Sequence, residues 1–235
     1  MKSTTANSQT NKSNNLKPSW ERPRPTLLEL QTEKARRRLH EFVCQAWPVL
    51  EPSTVFVGGI HVRAICDHLQ AVTEGRIRDL IINIPLGHAK SLLTAVFWPA
   101  CVWIDHPQTR WLFASYAASL SVRDSGKCRR LIESAWYRRR WGKRYQLMGD
   151  QNQKHRFEND RTGYRIATSV GGSATGERAD VVVVDDPHSV DQAESDGAAL
   201  RRRMVQRHDV HALERFHQRA QDRGAATIAR RGCNR

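Results

Sequence analysis

The stretch RDLIINIPLGHAKSLL, residues 78–93, decides how this chain is expected to fold. A short apolar run at 78–84 leads into the turn residues PLGHAKS, and the helical pattern LLTAVFWPACVWI follows at 92–104. A buried strand, a tight loop and a helix in that order are typical of the first unit of an α/β sheet. The segment Asp105-His106-Pro107 is expected to end the helix.

The rest of the chain repeats this alternation. Three further runs predict strands: WLFAS at 111–115, YRIATSV at 164–170 and VVVV at 181–184. Helical patterns occupy 26–49, 61–74 and the residues between the second strand and about Glu133. Strands that alternate with helices predict an α/β fold with a mostly parallel central sheet flanked by helices. We expect a disordered tail at 1–25, a partial domain at 26–203 and a basic tail at 204–235.

The loop after the first strand is a candidate phosphate site. Backbone N–H groups on a tight loop at a helix N-terminus, an ammonium group and a hydroxyl group form a phosphate cradle. Ile84 and Ala89 stand where the usual glycine-rich pattern has glycines. An ordinary α/β turn is therefore an alternative interpretation of the motif taken alone. The candidate residues are Pro85, Leu86, Gly87, His88 and Ala89 for the backbone cradle, Lys90 for the β- and γ-phosphates of ATP, and Ser91 for Mg²⁺.

A second candidate site follows the run of four valines. Asp185 and Asp186 stand at the end of a strand that is expected to be buried on both faces. The carboxyl ends of parallel strands are where open α/β sheets bind ligands. We expect Asp185 to hold Mg²⁺ and Asp186 to orient or deprotonate the attacking water. The alternative is a helix cap before Pro187. Together, on separate strands, the two motifs are far more specific than either alone.

Three further features have weaker support. His88 could contact phosphate or merely fill the loop. Arg178 could offer positive charge to the γ-phosphate or be a solvated surface residue. The basic and aromatic patch YRRRWGKRYQ, residues 137–146, has the composition of a nucleic-acid contact, and a solvated helix end accounts for it equally well.

The composition predicts the class of partner and the cell compartment. The net charge of +14 and the pI near 10.3 favour a polyanionic partner such as DNA, although a basic tail on an ordinary domain is the alternative. Five scattered cysteines without zinc-ligand spacing indicate reduced thiols in the cytoplasm. The polar N-terminus is not a signal peptide, and the longest apolar stretch is too short to cross a membrane.

Three segments resemble the N-terminal ATPase domain of the large subunit of tailed-phage DNA-packaging terminases. They are NIPLGHAKSLL, FASYAASLS and SVGGSATGERADVVVVDDPHS, and the resemblance runs over residues 39–194. The resemblance implies a P-loop NTPase that uses ATP and Mg²⁺ and drives viral double-stranded DNA into a capsid. It also implies a homo-oligomeric ring that docks on the portal protein and works with the small terminase subunit, encoded by a prophage in a bacterial cytoplasm. Leu86 and Asp186 depart from the family's usual Pro and Glu.

Two other functions remain open from sequence. A helicase-like nucleic-acid ATPase would use the same two motifs, but the chain shows no further helicase motif. A non-catalytic remnant would bind nucleic acid through its basic surface alone.

The last 35 residues do not fit the family pattern. Residues 201–235 hold ten arginines and only three acidic residues, and no strand is expected within 204–235. The family continues with another core strand and a nuclease domain, for which this chain is too short. A reading-frame shift after about residue 203 would account for the change. In that interpretation the sheet lacks a strand, and exposed apolar surface makes the product aggregation-prone.

Resequencing the gene from the codon for Glu194 to well past Arg235 tests the frameshift. Because Met204 precedes Val205, the +1 frame must read TGG, a tryptophan codon, at that position. We expect that frame to continue through a strand of the type KIVVQQ and the segment RLHEED into a long open frame. An early stop codon in the +1 frame would show that the basic tail is native.

Overall fold

The computed structural model describes residues 24–149, 153–170, 177–186 and 226–230. These residues form an α/β layer structure in which helices cover a mixed sheet. The helices are α1 (Leu27–Arg37), α2 (Leu39–Leu50), α3 (Ile60–Thr73), α4 (Lys90–Leu92), α5 (Trp98–Asp105), α6 (Ala118–Glu133) and α7 (Ala135–Trp141). The strands are β1 (Asp79–Ile82), β2 (Trp111–Ser115), β3 (Arg156–Glu158), β4 (Tyr164–Ser169), β5 (Val181–Val184) and β6 (Ala226–Arg230).

The sheet has the strand order β1-β6-β5-β2-β4-β3. Strand β2 pairs in parallel with β4 and with β5, whereas β3 and β6 pair antiparallel with their neighbours. Because β6 is antiparallel to both β1 and β5, those two strands run in the same direction. The carboxyl ends of β1, β5, β2 and β4 therefore meet at one edge of the sheet, which confirms the expected mostly parallel α/β architecture.

The N-terminal helical pattern forms two helices instead of the single helix predicted over 26–49. Arg38 has the extended conformation φ −132°, ψ 118°, which ends α1 and opens α2. A capping box of Thr26 and Glu29 begins α1, as the Thr-x-x-Glu pattern favours. The prediction of one continuous helix was wrong because Arg38 alone interrupts the helix, and the apolar pattern continues on both sides of it.

The helix after the first strand is continuous from Lys90 to Asp105 but contains a π-helical turn at Leu93–Phe97. All five residues of that turn are buried. Trp98 then packs edge-to-face on Trp111 of β2, with ring centroids 4.8 Å apart. These contacts anchor the helix in the main core beneath the sheet, and they hold the start of α4 at the sheet's carboxyl edge.

The basic tail contributes a strand, contrary to the prediction that residues 204–235 contain none. Residues 226–230 form β6, which fills the space between β1 and β5 and pairs with both. The sequence ATIAR has only three apolar residues, so no strand pattern stands out from its polar surroundings. Hydrogen bonding to two neighbouring strands stabilises this strand, although its local sequence has little strand propensity.

The turn between β3 and β4 requires glycine at position 163. Asn159 and Gly163 exchange hydrogen bonds, and the Asn159 amide donates to the carbonyl of Pro107 at 2.7 Å. A Cβ atom at position 163 would lie 1.9 Å from the same Pro107 oxygen. A backbone neighbour at that distance cannot move aside without disturbing the turn.

Gly163→Ala should therefore lower the free energy of unfolding by about 3 kcal/mol, because the added Cβ clashes with the Pro107 carbonyl and displaces the turn. Gly126→Ala, on the exposed face of α6 with nothing within 4 Å, should raise it by about 1 kcal/mol through helix propensity. Urea denaturation of both variants measures the difference. Equal stabilities would show that the Pro107 carbonyl does not constrain position 163.

Ile228→Pro tests the pairing of the tail strand. Proline removes a backbone N–H from the middle of a strand paired on both sides, which a sheet interior does not tolerate. We expect Ile228→Pro to lower the Tm measured by thermal unfolding. Ile228→Ala keeps the backbone N–H and should retain more of the stability. A proline variant as stable as the parent chain would contradict the six-stranded sheet.

Candidate functional site

The loop between β1 and α4 is exposed and has an unusual backbone. Residues 85–88 are all exposed, and Gly87 has φ +84°. Ala89 also lies in the left-handed region, with φ 57° and ψ 17°, directly before the helix begins at Lys90. A non-glycine residue there is disfavoured, so the surrounding structure must hold it. The first N–H groups of the helix have no helical partner and are available to an acceptor.

The two carboxylates predicted from the valine run lie where β5 ends. The Asp185 N–H donates to the Ala114 carbonyl at 2.9 Å, and the Tyr116 N–H donates to the Asp186 carbonyl at 3.0 Å. These bonds extend the β5–β2 ladder past the last valine. Asp186 has φ 45°, so the chain turns sharply at this residue. The side chain of Asp185 is 13% exposed and that of Asp186 is 38% exposed.

The Lys90 ammonium joins the loop to the end of β5. Its Nζ lies 2.5 Å from Asp186 Oδ1 and 3.1 Å from Asp185 Oδ1. The lysine side chain is only 12% exposed, so this ion pair is largely shielded from solvent. The structure thus brings together three charged residues that the sequence places about 95 positions apart, as the two-motif prediction requires.

Burial and charge act in opposite directions on this cluster. Burial raises the pKa of the Asp185 carboxyl above its usual value, although Lys90 and a hydrogen bond from Ser91 act to lower it. Burial lowers the pKa of Lys90, but the charges of Asp185 and Asp186 raise it by more, so its pKa lies above the usual value. Lys90 is therefore a permanent ammonium at neutral pH, and its proton is not available for acid–base chemistry.

The site can hold a magnesium ion together with a phosphate ligand. Ser91 and Asp185 line the same cleft, and the Ser91 hydroxyl lowers the pKa of the Asp185 carboxyl, so a hydroxyl and a carboxylate lie close together. Within the described part of the chain, no group of three or more His, Cys, Asp or Glu side chains could form an all-protein metal site. Mg²⁺ needs no such group, because it usually keeps waters and phosphate oxygens beside one or two protein ligands.

His88 and Arg178, two of the weaker candidates, have positions that do not favour a direct role at the phosphate site. His88 Nδ1 lies 3.0 Å from the Pro85 carbonyl, and its ring packs edge-to-face on His61, so it shapes the loop itself. Arg178 precedes β5, whereas the carboxylates follow the opposite end of that strand. Seven extended residues span roughly 23 Å. Arg178 therefore lies toward the opposite edge of the sheet from Asp185 and Asp186, and a role for it at the γ-phosphate stays a prediction.

Most of the basic and aromatic patch at 137–146 packs within the molecule. Arg138 donates to the backbone at Tyr145, at 3.2 Å. The Arg140 guanidinium lies 4.8 Å from the centroid of the Trp136 ring, and Arg144 pairs with a carboxylate at 2.9 Å. These contacts favour the interpretation of the patch as a helix end over that of a dedicated nucleic-acid contact.

A polar cleft beside the carboxylates was missed by sequence reasoning. It measures about 130 Å³ and lies between α6 and the sheet, next to Asp185. The buried residues of α6 near it are polar, namely Ser121, Asp124 and Ser125, and Arg165 of β4 is fully buried there. The apolar pattern of this helix points to Leu120, Val122, Cys128 and Leu131, of which the last two are buried and the first two are only half-buried. The available signal was an arginine at the second position of the predicted strand YRIATSV.

Comparison with protein-family models, with curated proteins and with solved structures finds no match for this chain. Its function must therefore be inferred from its own residues. None of the helices in the described ranges has the length and apolar character needed to cross a membrane.

Proposed function

We propose that this chain is an ATP hydrolase of the P-loop type, and that it acts as the motor subunit of a DNA-packaging terminase. The single observation that supports the enzymatic part is the contact of Lys90 with Asp185 and Asp186. A lysine at the start of a helix after a strand, facing two carboxylates at the end of a parallel strand, is the arrangement that nucleoside triphosphate hydrolysis requires.

Each residue has one role in this proposal. The backbone of residues 85–89 and the helix start bind the β- and γ-phosphates, and Lys90 balances their charge. Ser91 and Asp185 would hold Mg²⁺, which would supply positive charge to the phosphate oxygens. Asp186 accepts a proton from the water that attacks the γ-phosphorus as the bond to the β–γ bridging oxygen breaks. The products are ADP and inorganic phosphate.

The contact between Lys90 and Asp186 is then a resting state. While the Lys90 ammonium lies 2.5 Å from Asp186 Oδ1, it occupies a position beside that carboxylate that the attacking water would need. A triphosphate carries more negative charge than one carboxylate and lies nearer the loop, so it draws Lys90 away. Substrate binding thereby frees Asp186 for the attacking water.

The motor assignment rests on the resemblance and on charge. The three matching segments include both candidate motifs in order, and the net charge of +14 suits a polyanion such as double-stranded DNA. In this proposal the portal protein, the small terminase subunit and further copies of the chain in a ring are the partners. The proposed cell compartment is the bacterial cytoplasm.

Lys90→Ala tests the enzymatic part. We expect ATP hydrolysis to fall by at least about 100-fold, because the charge that stabilises the transferring phosphoryl group is lost. Lys127→Ala is the matched control, since Lys127 also forms an ion pair, 2.6 Å from Glu51, but outside the site. Phosphate release measures hydrolysis, and fluorescence anisotropy with a labelled duplex measures DNA binding.

Three outcomes separate the functions. Loss of hydrolysis in Lys90→Ala alone supports the proposal. Equal hydrolysis in Lys90→Ala and the parent chain would remove Lys90 from the mechanism. DNA binding by a parent chain that neither binds nor hydrolyses ATP would identify a non-catalytic nucleic-acid-binding protein.

A further inference from the structure

Arg165 is the most unusual buried group in the described part of the chain. Its side chain is 0% exposed, and its guanidinium carbon lies 3.6 Å from the centroid of the Phe113 ring. None of its three side-chain nitrogens has a hydrogen-bond partner among the described residues. A guanidinium group carries five N–H donors, so Arg165 has several hydrogen-bond donors without an acceptor.

The group stays charged despite its burial. Burial lowers the pKa of Arg165 to about 10, while the charge of Asp124 acts in the opposite direction. A pKa near 10 leaves the guanidinium protonated at neutral pH. Stacking on Phe113 offsets part of the lost hydration, but it satisfies none of the N–H donors.

Arg165 lies in the wall of a cleft, so its buried donors are next to space that a ligand can enter. Arg165 lines it together with Ser121, Arg123 and Asp124, and the same cleft reaches Ser91 and Asp185 of the ATP site. Its volume of about 130 Å³ exceeds what one water molecule needs and admits a small ion. A group that leaves the ATP site can therefore enter the cleft without crossing the core.

Among the charged groups around the cleft, Arg165 is the one without a direct partner in the described residues. Asp124 accepts two hydrogen bonds from the Arg123 guanidinium, at 2.9 and 3.3 Å. Asp185 and Asp186 are both paired with Lys90. Each carboxylate that lines the cleft thus contacts a cation directly, whereas Arg165 makes no ion pair among the described residues. Its charge is fully buried, where a direct contact with an added anion gains most.

We propose that the cleft between α6 and the sheet binds inorganic phosphate through the guanidinium of Arg165. Given the proposed function, on which this source of the ion rests, the ion is the phosphate cleaved from ATP, which moves past Asp185 into the cleft before release. The planar fork of arginine suits two oxygens of a tetrahedral oxyanion, which a lysine ammonium cannot bind in the same way.

A structural role for Arg165 predicts a different behaviour. If its stacking on Phe113 mainly held the core together, an apolar replacement would weaken the fold. If the charge is kept for a ligand, an apolar side chain of similar length removes an unpaired buried cation and leaves stability unchanged or raised. The stability of Arg165→Met without phosphate therefore separates the two roles.

The test is thermal unfolding of the full chain with inorganic phosphate alone, against chloride at equal ionic strength. Phosphate should raise the Tm of the parent chain by roughly 5 °C or more at saturation. Arg165→Met should lose this shift and have an unchanged or higher Tm in chloride. Arg165→Lys should keep the charge but weaken the apparent affinity at least about 10-fold. Arg156→Met, which removes an arginine stacked on Tyr164 away from the cleft, should keep the full shift.

The outcomes distinguish this site from the proposed function. An equal phosphate shift in the parent chain and in Arg165→Met, or no shift in either, overturns the cleft proposal whatever the hydrolysis assay shows. An Arg165-dependent shift in a chain that does not hydrolyse ATP supports the site and removes ATP as the source. If Arg165→Met does not fold, the proposal stands or falls on whether folded Arg165→Lys weakens phosphate binding.

Discussion

The ion pair between Lys90 and the two aspartates is the contact on which the rest of the site depends. It requires β1 and β5 to run in the same direction, because only then do the loop after β1 and the residues after β5 meet at one edge. One strand lies between them, so the two chain ends are roughly 10 Å apart. A lysine side chain bridges that gap, whereas a shorter residue at position 90 would leave the carboxylates unpaired and half-buried.

Much of this arrangement could be predicted from the sequence. The runs at 111–115 and 181–184 are short, apolar and rich in aromatic or β-branched residues, and both form strands with the predicted bounds. Helix α3 buries Val62, Ile65 and Leu69, as its periodicity indicates, and Gly75 follows its end with φ 76°. The contact of Lys90 with Asp185 follows from these elements alone, since parallel strands place their carboxyl ends together.

What could not be predicted depends on tertiary contacts. The buried face of α6 has regular helical spacing, but its first half consists of Ser121, Asp124 and Ser125, which hydrophobic periodicity does not count. Strand β3 has three residues and β6 has a weak pattern, and both form because neighbouring strands offer unpaired backbone. The break at Arg38 involves a single residue, and a change that short does not alter the apolar periodicity from which helices are predicted.

Unfavourable backbone conformations and a buried charge without an ion pair lie together at one edge of the sheet. Of the three non-glycine residues with positive φ in the described ranges, Ala89 and Asp186 lie on the two sides of the Lys90 contact, and Thr162 lies in a distant turn. Arg165, the buried cation without an ion pair among the described residues, lines the cleft beside Asp185. Strained backbone and an unpaired charge each lower stability, so a fold selected for stability alone would not collect them in one place. Their common location favours anion binding at this edge. An anion at the loop would accept hydrogen bonds from its N–H groups and compete for Lys90, and an anion in the cleft would meet the unpaired guanidinium.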